Sequence, residues 1–198
     1  MTATSSLVLS MSGGRLVARR TLVRLVLCGL IGAGIATAAA AQPGEPTITV
    51  QERAGVYEVG ATFTVDRPAR RVLDVLTDYE GIPRLVPDVK RSVVHSRTTD
   101  HAIVEQEAVS RVLFFSKTVH LRLDIQEGAD AIAFRDVCGR SFVVYEGRWQ
   151  VSSRGAGTQV TYALRAQPAF EVPEFLVKRL MKRDAGQMIA RLRQAMLD

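Results

Sequence analysis

The C-terminal segment, from Pro173 to Asp198, is the sequence feature that most constrains the fold. It contains no proline after its first residue, and its only glycine is Gly186. Its apolar residues recur at helical spacing and lie within about 100° on a helical wheel; they are Val177, Met181, Ala185, Met188, Leu192, Ala195 and Met196. The pattern predicts an amphipathic helix of about 24 residues, about 36 Å long. A helix of this length with a single apolar stripe needs a sheet to lie across.

Alternating apolar residues before this segment predict that sheet. A first strand is indicated from Tyr57 to Val65, which Ile48 and Val50 extend or precede. Asp66 then offers an N-cap for a short helix, with Pro68 in its first turn. Six further runs are predicted as strands of an antiparallel meander: 92–97, 102–110, 117–126, 131–137, 142–152 and 158–166. This order predicts an α+β fold in which a curved antiparallel sheet wraps around a long C-terminal helix.

The first 41 residues have the three parts of a secretory signal peptide. Arginines dominate the segment before Leu25, residues 25–37 are apolar and uncharged, and small residues at Ala39–Ala41 precede Gln42. We therefore expect an exported protein, periplasmic or secreted, after cleavage near Ala41. An uncleaved anchor is the alternative, but Leu25 to Ala41 is shorter than the ~20 residues of a spanning helix. The pair Arg19-Arg20 also resembles a twin-arginine export signal, which leaves that route open.

The remaining chain has the size and charge of one ordinary globular domain. Residues 42–46 are a short tether, and residues 47–198 form the predicted domain. The whole chain carries a net charge of +6, but four of its 26 basic residues belong to the leader, which leaves 22 against 20 acidic residues. Nucleic-acid binding depends on clustered positive charge, so we expect no nucleic-acid partner. We expect a monomer.

The residues that carry metal or nucleophilic chemistry do not form a recognisable site. His95, His101, His120 and Cys138 fall on separate predicted elements without ligand spacing. The chain has no G-x-S-x-G nucleophile motif, and Cys138 stands at a strand end before Gly139. We therefore expect no metal and no cofactor.

Three charged residues on predicted strands are candidates for chemistry on a ligand. Glu105 and Glu107 share one face of their strand, and alternation cannot say whether that face is inside. If they point inward, burial would raise their pKa and they could orient or protonate a ligand; if outward, they are a solvated strand face. Arg135 has the same ambiguity, because an inward guanidinium would bind an anionic head group. These three would serve as the catalytic residues of an enzyme.

The aromatic, aliphatic and sulfur-containing residues are the candidates for ligand contacts. Methionine adapts its shape, and tyrosine and tryptophan bring a polar tip into an apolar wall, which suits an amphipathic ligand. The alternative is that they simply fill the core. The candidate ligand-binding residues are Leu85, Val86, Phe115, Phe134, Tyr145, Trp149, Tyr162, Phe170, Val177, Met181 and Met188.

Two further features suggest a transient contact with a membrane surface. The run Val112-Leu113-Phe114-Phe115 is apolar for a hairpin tip, and it could be a cavity lip, a membrane-touching edge or a covered strand end. The basic side chains of the last helix, Lys178, Arg179, Lys182 and Arg183, could meet anionic lipid head groups or simply face solvent.

The segment from Thr62 to Val94, TFTVDRPARRVLDVLTDYEGIPRLVPDVKRSVV, resembles the opening of the START-like helix-grip (SRPBCC) superfamily. The similarity is to its polyketide cyclase/dehydrase and coenzyme Q-binding branch. The marks are a strand, an acid-then-proline helix start, the ending V-L-T-D-Y and a P-x-x-V-P loop. YEGRWQV at Tyr145–Val151 and the helix with FLVKRLMKRD match the same plan, so the resemblance covers about residues 47–198.

This resemblance implies a hydrophobic cavity between the sheet and the C-terminal helix. The function we expect from it is an exported binding or carrier protein for a hydrophobic small molecule or lipid, such as a quinone, isoprenoid, acyl lipid or polyketide-like compound. The alternative is a cyclase- or dehydratase-type enzyme that acts on an apolar carbonyl compound in the same cavity. The fold alone does not choose between them.

Overall fold

The computed structural model describes residues 46–112 and 115–198. The predicted leader at 1–41 and residues 42–45 of the tether lie outside these residues. The strands are β1 (Thr47–Arg53), β2 (Val56–Val65), β3 (Val89–Arg97), β4 (His101–Val112), β5 (Phe115–Glu127), β6 (Ala131–Asp136), β7 (Phe142–Arg154) and β8 (Gly157–Pro168). The helices are α1 (Ala69–Leu76), α2 (Ile82–Leu85) and α3 (Glu174–Leu197), with a 3₁₀ turn at Tyr79–Gly81 before α2.

The strands form one curved antiparallel sheet in the order β1-β2-β8-β7-β6-β5-β4-β3. The six strands predicted as a meander are β3 to β8, each paired with the next along the chain. The last of them, β8, returns to pair with β2, from Tyr57 opposite Ala166 to Val65 opposite Thr158. The predicted α+β architecture, a curved sheet with a long C-terminal helix, is confirmed.

The core lies between the concave face of the sheet and the helices. Alternate residues of the central strands are buried on this face, as expected from the period of two; they include Val59, Ala61, Phe63 and Val65 of β2 and Val119, Leu121, Leu123 and Ile125 of β5. From α3 the fully buried residues include Ile189 and Met196. The predicted apolar stripe omitted Ile189, which is buried. It included Met181 and Met188, which are only half-buried.

The start of α1 differs from the sequence prediction. Pro68, and not Asp66, occupies the N-cap, with extended backbone angles, and no side chain caps the helix. The carbonyl of Pro68 accepts the N–H of Val72 at 3.4 Å, which begins the helical hydrogen bonds. Asp66 stands two residues before this position, too far along the chain to act as the N-cap.

Arginines near α1 hold the C-terminal end of α3. The guanidinium of Arg71 donates to the carbonyl of Ala195 at 3.0 Å, and that of Arg67 donates to the carbonyl of Leu197. The last carbonyls of a helix have no partner within it, and a cation there also opposes the negative end of the helix dipole. These bonds fix the far end of α3 against the first half of the chain. Within the described residues, no helix is long and apolar enough to cross a membrane.

Candidate functional site

A largely apolar cavity of about 450 Å³ lies beside the N-terminal half of α3. It is enclosed by the end of β4 with the start of β5, by the paired start of β7 and end of β8, and by the segment that leads from β8 into the first turns of α3. Its lining residues are Ser110, Ser116, Lys117, Val119, Phe142, Pro168, Phe170, Glu171, Val172, Pro173, Leu176, Val177, Leu180 and Met181. Its size falls within the ~300–1,000 Å³ of small-molecule sites.

A β-bulge directs the side chain of Phe142 toward the cavity. In a regular strand, Phe142 and Tyr145 would face opposite sides, because side chains alternate. The register between β7 and β8 shifts between Phe142 and Val144, so that Phe142 lies opposite Pro168 and Val144 opposite Gln167. Phe142 therefore shares the inner face with Tyr145, and the two ring centroids are 4.8 Å apart. Val143, the extra residue, is 68% exposed.

Four polar residues line the cavity: Ser110, Ser116, Lys117 and Glu171. Lys117 lies opposite Ser110 in the β4–β5 pairing, on the same face as the buried Val119 two residues later. Its ammonium nitrogen stands 5.1 Å from the centroid of the Phe170 ring, a cation–π distance. Among the described residues, no carboxylate oxygen lies within 4.0 Å of this ammonium group, so its charge has no counter-ion there.

The interior aromatic residues form two groups of tilted rings in and against the core. Tyr145 also lies near Phe134, with ring centroids 6.1 Å apart, and Trp149 packs on Tyr162 at 4.3 Å. Burial raises the pKa of Tyr145 to about 12, and burial also raises the pKa of Tyr162 well above its usual range. Both phenols therefore stay neutral over the physiological pH range.

Three of the predicted ligand contacts, Phe170, Val177 and Met181, line the cavity. The structure places the other described candidates elsewhere: Phe134, Tyr145, Trp149, Tyr162 and Met188 lie in or against the core, Leu85 packs against it from α2, and Val86 is a half-buried residue at the end of α2. The side chain of Phe115, like residues 113–114 of the predicted lip, lies outside the described part of the chain.

Several residues that line the cavity are not among the predicted ligand-binding residues. Leu176 and Leu180 form an i, i+4 pair that lies beside the predicted stripe at Val177 and Met181. This spacing was visible in the sequence and would have found them. Phe142 could not be found in that way, because strict alternation assigned it to the opposite face from Tyr145.

The candidate catalytic residues lie on the outer face of the sheet. Glu105 lies 3.0 Å from His95 and Glu107 lies 3.8 Å from His120, and each carboxylate side chain is 45% exposed. The alternation explains this position, because the neighbouring Ala102 and Val104 are fully buried on the inner face. None of the three candidates lines the cavity.

Arg135 belongs to a separate ion-pair group on that outer face. Its guanidinium donates to Asp124 at 2.8 and 3.1 Å, and His101 lies 2.6 Å from the other carboxylate oxygen. The hydrogen bonds from Arg135 and then from His101 hold the pKa of Asp124 below its usual range. The described residues contain no group of three or more histidines, cysteines or acidic residues that could hold a metal ion.

Comparisons with known proteins agree with this geometry. Residues 65–193 match the model of the family described as polyketide cyclase / dehydrase and lipid transport, which confirms the resemblance seen in the sequence. Comparison with curated proteins gives no significant match.

Solved structures show the same fold. A STAR-related lipid transfer protein from Xanthomonas axonopodis is 17% identical with a TM-score of 0.60, and the alignment covers 78% of this chain and 100% of that one. The Zhui aromatase/cyclase from Streptomyces sp. R1128 is 18% identical with a TM-score of 0.58, covering 71% and 93%. A protein from Thermus thermophilus is 24% identical with a TM-score of 0.60, covering 71% and 97%. At these identities the likeness establishes the helix-grip fold.

Proposed function

The chain belongs to the polyketide cyclase / dehydrase and lipid transport family, and we propose that it carries a hydrophobic small molecule or lipid. The family and the fold make it a START-like domain for hydrophobic ligands. The finer proposal is a carrier that holds its cargo without changing it. Quinones, isoprenoids, acyl lipids and polyketide-like compounds are the cargo classes to test.

The cavity beside α3 is the observation that carries this proposal. Most of its lining side chains are apolar, including Phe142, Leu176, Leu180 and Met181. Apolar contact supplies affinity roughly in proportion to the area that a ligand removes from water, and a few polar groups then fix its orientation. Such a site favours binding and release over chemistry.

The enzyme alternative needs an acid or base beside the ligand. Glu105, Glu107 and Arg135 lie on the outer face, and the carboxylate in the cavity lining belongs to Glu171, an exposed residue. No buried acid with a raised pKa lines the cavity among the described residues. The geometry therefore favours the carrier over the cyclase or dehydratase.

A transient membrane contact is part of the same proposal. Phe175, in the first turn of α3, is 70% exposed and directly precedes the cavity residue Leu176. Arg179 follows one turn later on the exposed surface. An exposed aromatic ring beside a cation is typical of surfaces that insert shallowly among anionic lipid head groups. This contact would bring the cavity entrance to the lipid.

Export completes the proposal. We propose that residues 1–41 direct the chain out of the cytoplasm, by the general or the twin-arginine route, and that the mature protein begins near Gln42. Intact-mass measurement of the protein from its own host tests the cleavage site. Replacing Arg19-Arg20 by two lysines tests the route, because a twin-arginine signal depends on the arginine pair whereas a general signal needs only positive charge.

The decisive experiment is native mass spectrometry of the protein produced from its full chain in its own host, followed by organic extraction of anything bound. We expect a stoichiometric apolar molecule. A cavity-filling variant, Met181→Trp, should lose it, whereas the matched variant Gln187→Trp, at an exposed position of α3, should retain it.

An empty protein that also fails to bind an apolar fluorescent probe would overturn the carrier proposal. An empty protein that does bind the probe, and that converts an added apolar carbonyl compound, would replace the carrier by the enzyme alternative.

A further inference from the structure

Lys117 gives the cavity a chemical preference that its apolar walls do not. Lys117 is an exposed residue of the lining, and its ammonium nitrogen stands 5.1 Å from the centroid of the Phe170 ring, without a carboxylate partner within 4.0 Å among the described residues. Lys178 of α3, by contrast, is paired with Glu174. An unpaired cation at the edge of an apolar cavity is a place for the anionic end of a ligand.

We propose that the cavity accepts a single-chain amphiphile with an anionic head group, a carboxylate or a phosphate, which Lys117 binds at the rim. This inference rests on the carrier function proposed above and names the chemical class of its cargo. Ser110 lies opposite Lys117 in the β4–β5 pairing and lines the same cavity, so its hydroxyl can supply a further hydrogen bond to an anion.

The size of the cavity limits the apolar part of the ligand. A volume of about 450 Å³ lies within the ~300–1,000 Å³ of small-molecule sites, which suits a ligand with one acyl or isoprenoid chain. The chain would lie against Leu176, Leu180 and Met181, with its head toward Lys117.

Glu171 is the group that opposes an anion. It lines the cavity on the segment between β8 and α3, and it forms no ion pair with Lys117 within 4.0 Å. Removing its charge should therefore strengthen the binding of an anion, so Glu171→Gln is expected to act in the opposite direction to a substitution that removes the charge of Lys117. Weaker anion binding in Glu171→Gln would contradict the proposal.

The test uses calorimetric titration of the protein with dodecanoate, dodecyl phosphate, methyl dodecanoate and dodecanol, each below its micelle concentration. We expect an anion to bind about fivefold more tightly than the neutral compounds, which is the scale of an exposed ion pair. Lys117→Met should remove this preference and leave the neutral compounds unaffected. Lys182→Met, at an exposed site of α3 outside the cavity lining, is the matched control.

The outcomes separate this inference from the function on which it rests. Equal affinity for all four compounds, unchanged in Lys117→Met, would overturn the anionic preference and leave the apolar carrier standing. Binding of none of them would count against the carrier itself. A preference for dodecanoate over dodecyl phosphate would identify a carboxylate cargo, and the reverse would identify a phosphate.

Discussion

Phe142 and Tyr145 lie side by side on the inner face of β7, with ring centroids 4.8 Å apart, although they stand three positions apart along the strand. The bulge at Val143 makes this possible, because one extra residue in the strand puts both rings on the same face of the sheet. Phe142 thereby becomes a cavity wall, with Tyr145 behind it in the core.

Phe142→Ala tests the structural value of this wall. Phe142 is half-buried, so its truncation should lower the free energy of unfolding by about 2 kcal/mol, less than for a fully buried phenylalanine. Val143→Ala, at the exposed bulge residue, should change it by under about 0.5 kcal/mol. Denaturant titration of both variants makes the comparison, and equal effects would contradict the assignment of Phe142 to the inner face.

The lowered pKa of Asp124 predicts that the stability of the fold decreases at acidic pH. Its pKa is lower in the folded protein than in the unfolded chain, so its contribution to stability is present above about pH 4 and is lost as the pH falls below that value. Asp124→Asn should cost about 1 kcal/mol at pH 7, and the difference from the natural protein should shrink toward pH 3. Urea unfolding at several pH values measures this, with Asp130→Asn, at an exposed residue, as the control. A difference that stays constant with pH would refute the ion-pair explanation.

The raised pKa of Tyr145 predicts that the stability of the fold decreases at alkaline pH. Its folded-state pKa is about 12, above the value near 10 of an unfolded chain. The unfolded chain therefore loses the phenolic proton first, and stability is complete below pH 10 and declines as the pH rises toward 12. Tyr145→Phe should make this decline less steep, because it removes up to one proton from the difference in bound protons between the folded and unfolded states, which sets the slope of the unfolding free energy against pH. An unchanged slope would mean that this phenol ionises as readily in the folded protein.

The arginine contacts at the end of α3 predict a modest contribution to stability. Arg71→Met keeps the apolar stem but removes the donor to the Ala195 carbonyl, and should cost about 0.5–1 kcal/mol. Arg70→Met is the matched substitution at the neighbouring exposed residue of α1. Thermal unfolding of the two proteins gives the comparison; similar midpoints would show that the capping contact adds nothing.

The period of the apolar residues was enough to predict the fold. Alternation in segments such as 117–126 defined the strands, and the helical stripe from Val177 to Met196 defined α3. These patterns are local, since backbone geometry imposes the periods of 2 and 3.6 residues wherever one face is buried. The family resemblance rested on the same local features, from Thr62 to Val94.

The packing of distant segments determines which groups meet at the cavity. Alternation shows that Glu105 and Val104 face opposite sides, but not which side is inside; the packing of α3 and α1 on the Val104 face decides it. The bulge at Val143 and the segment from Pro168 to Pro173 depend on contacts between residues far apart in sequence, which no local period records. Local patterns in the sequence therefore fix the elements and their order, whereas the position of Lys117 over Phe170 comes from the way those elements pack.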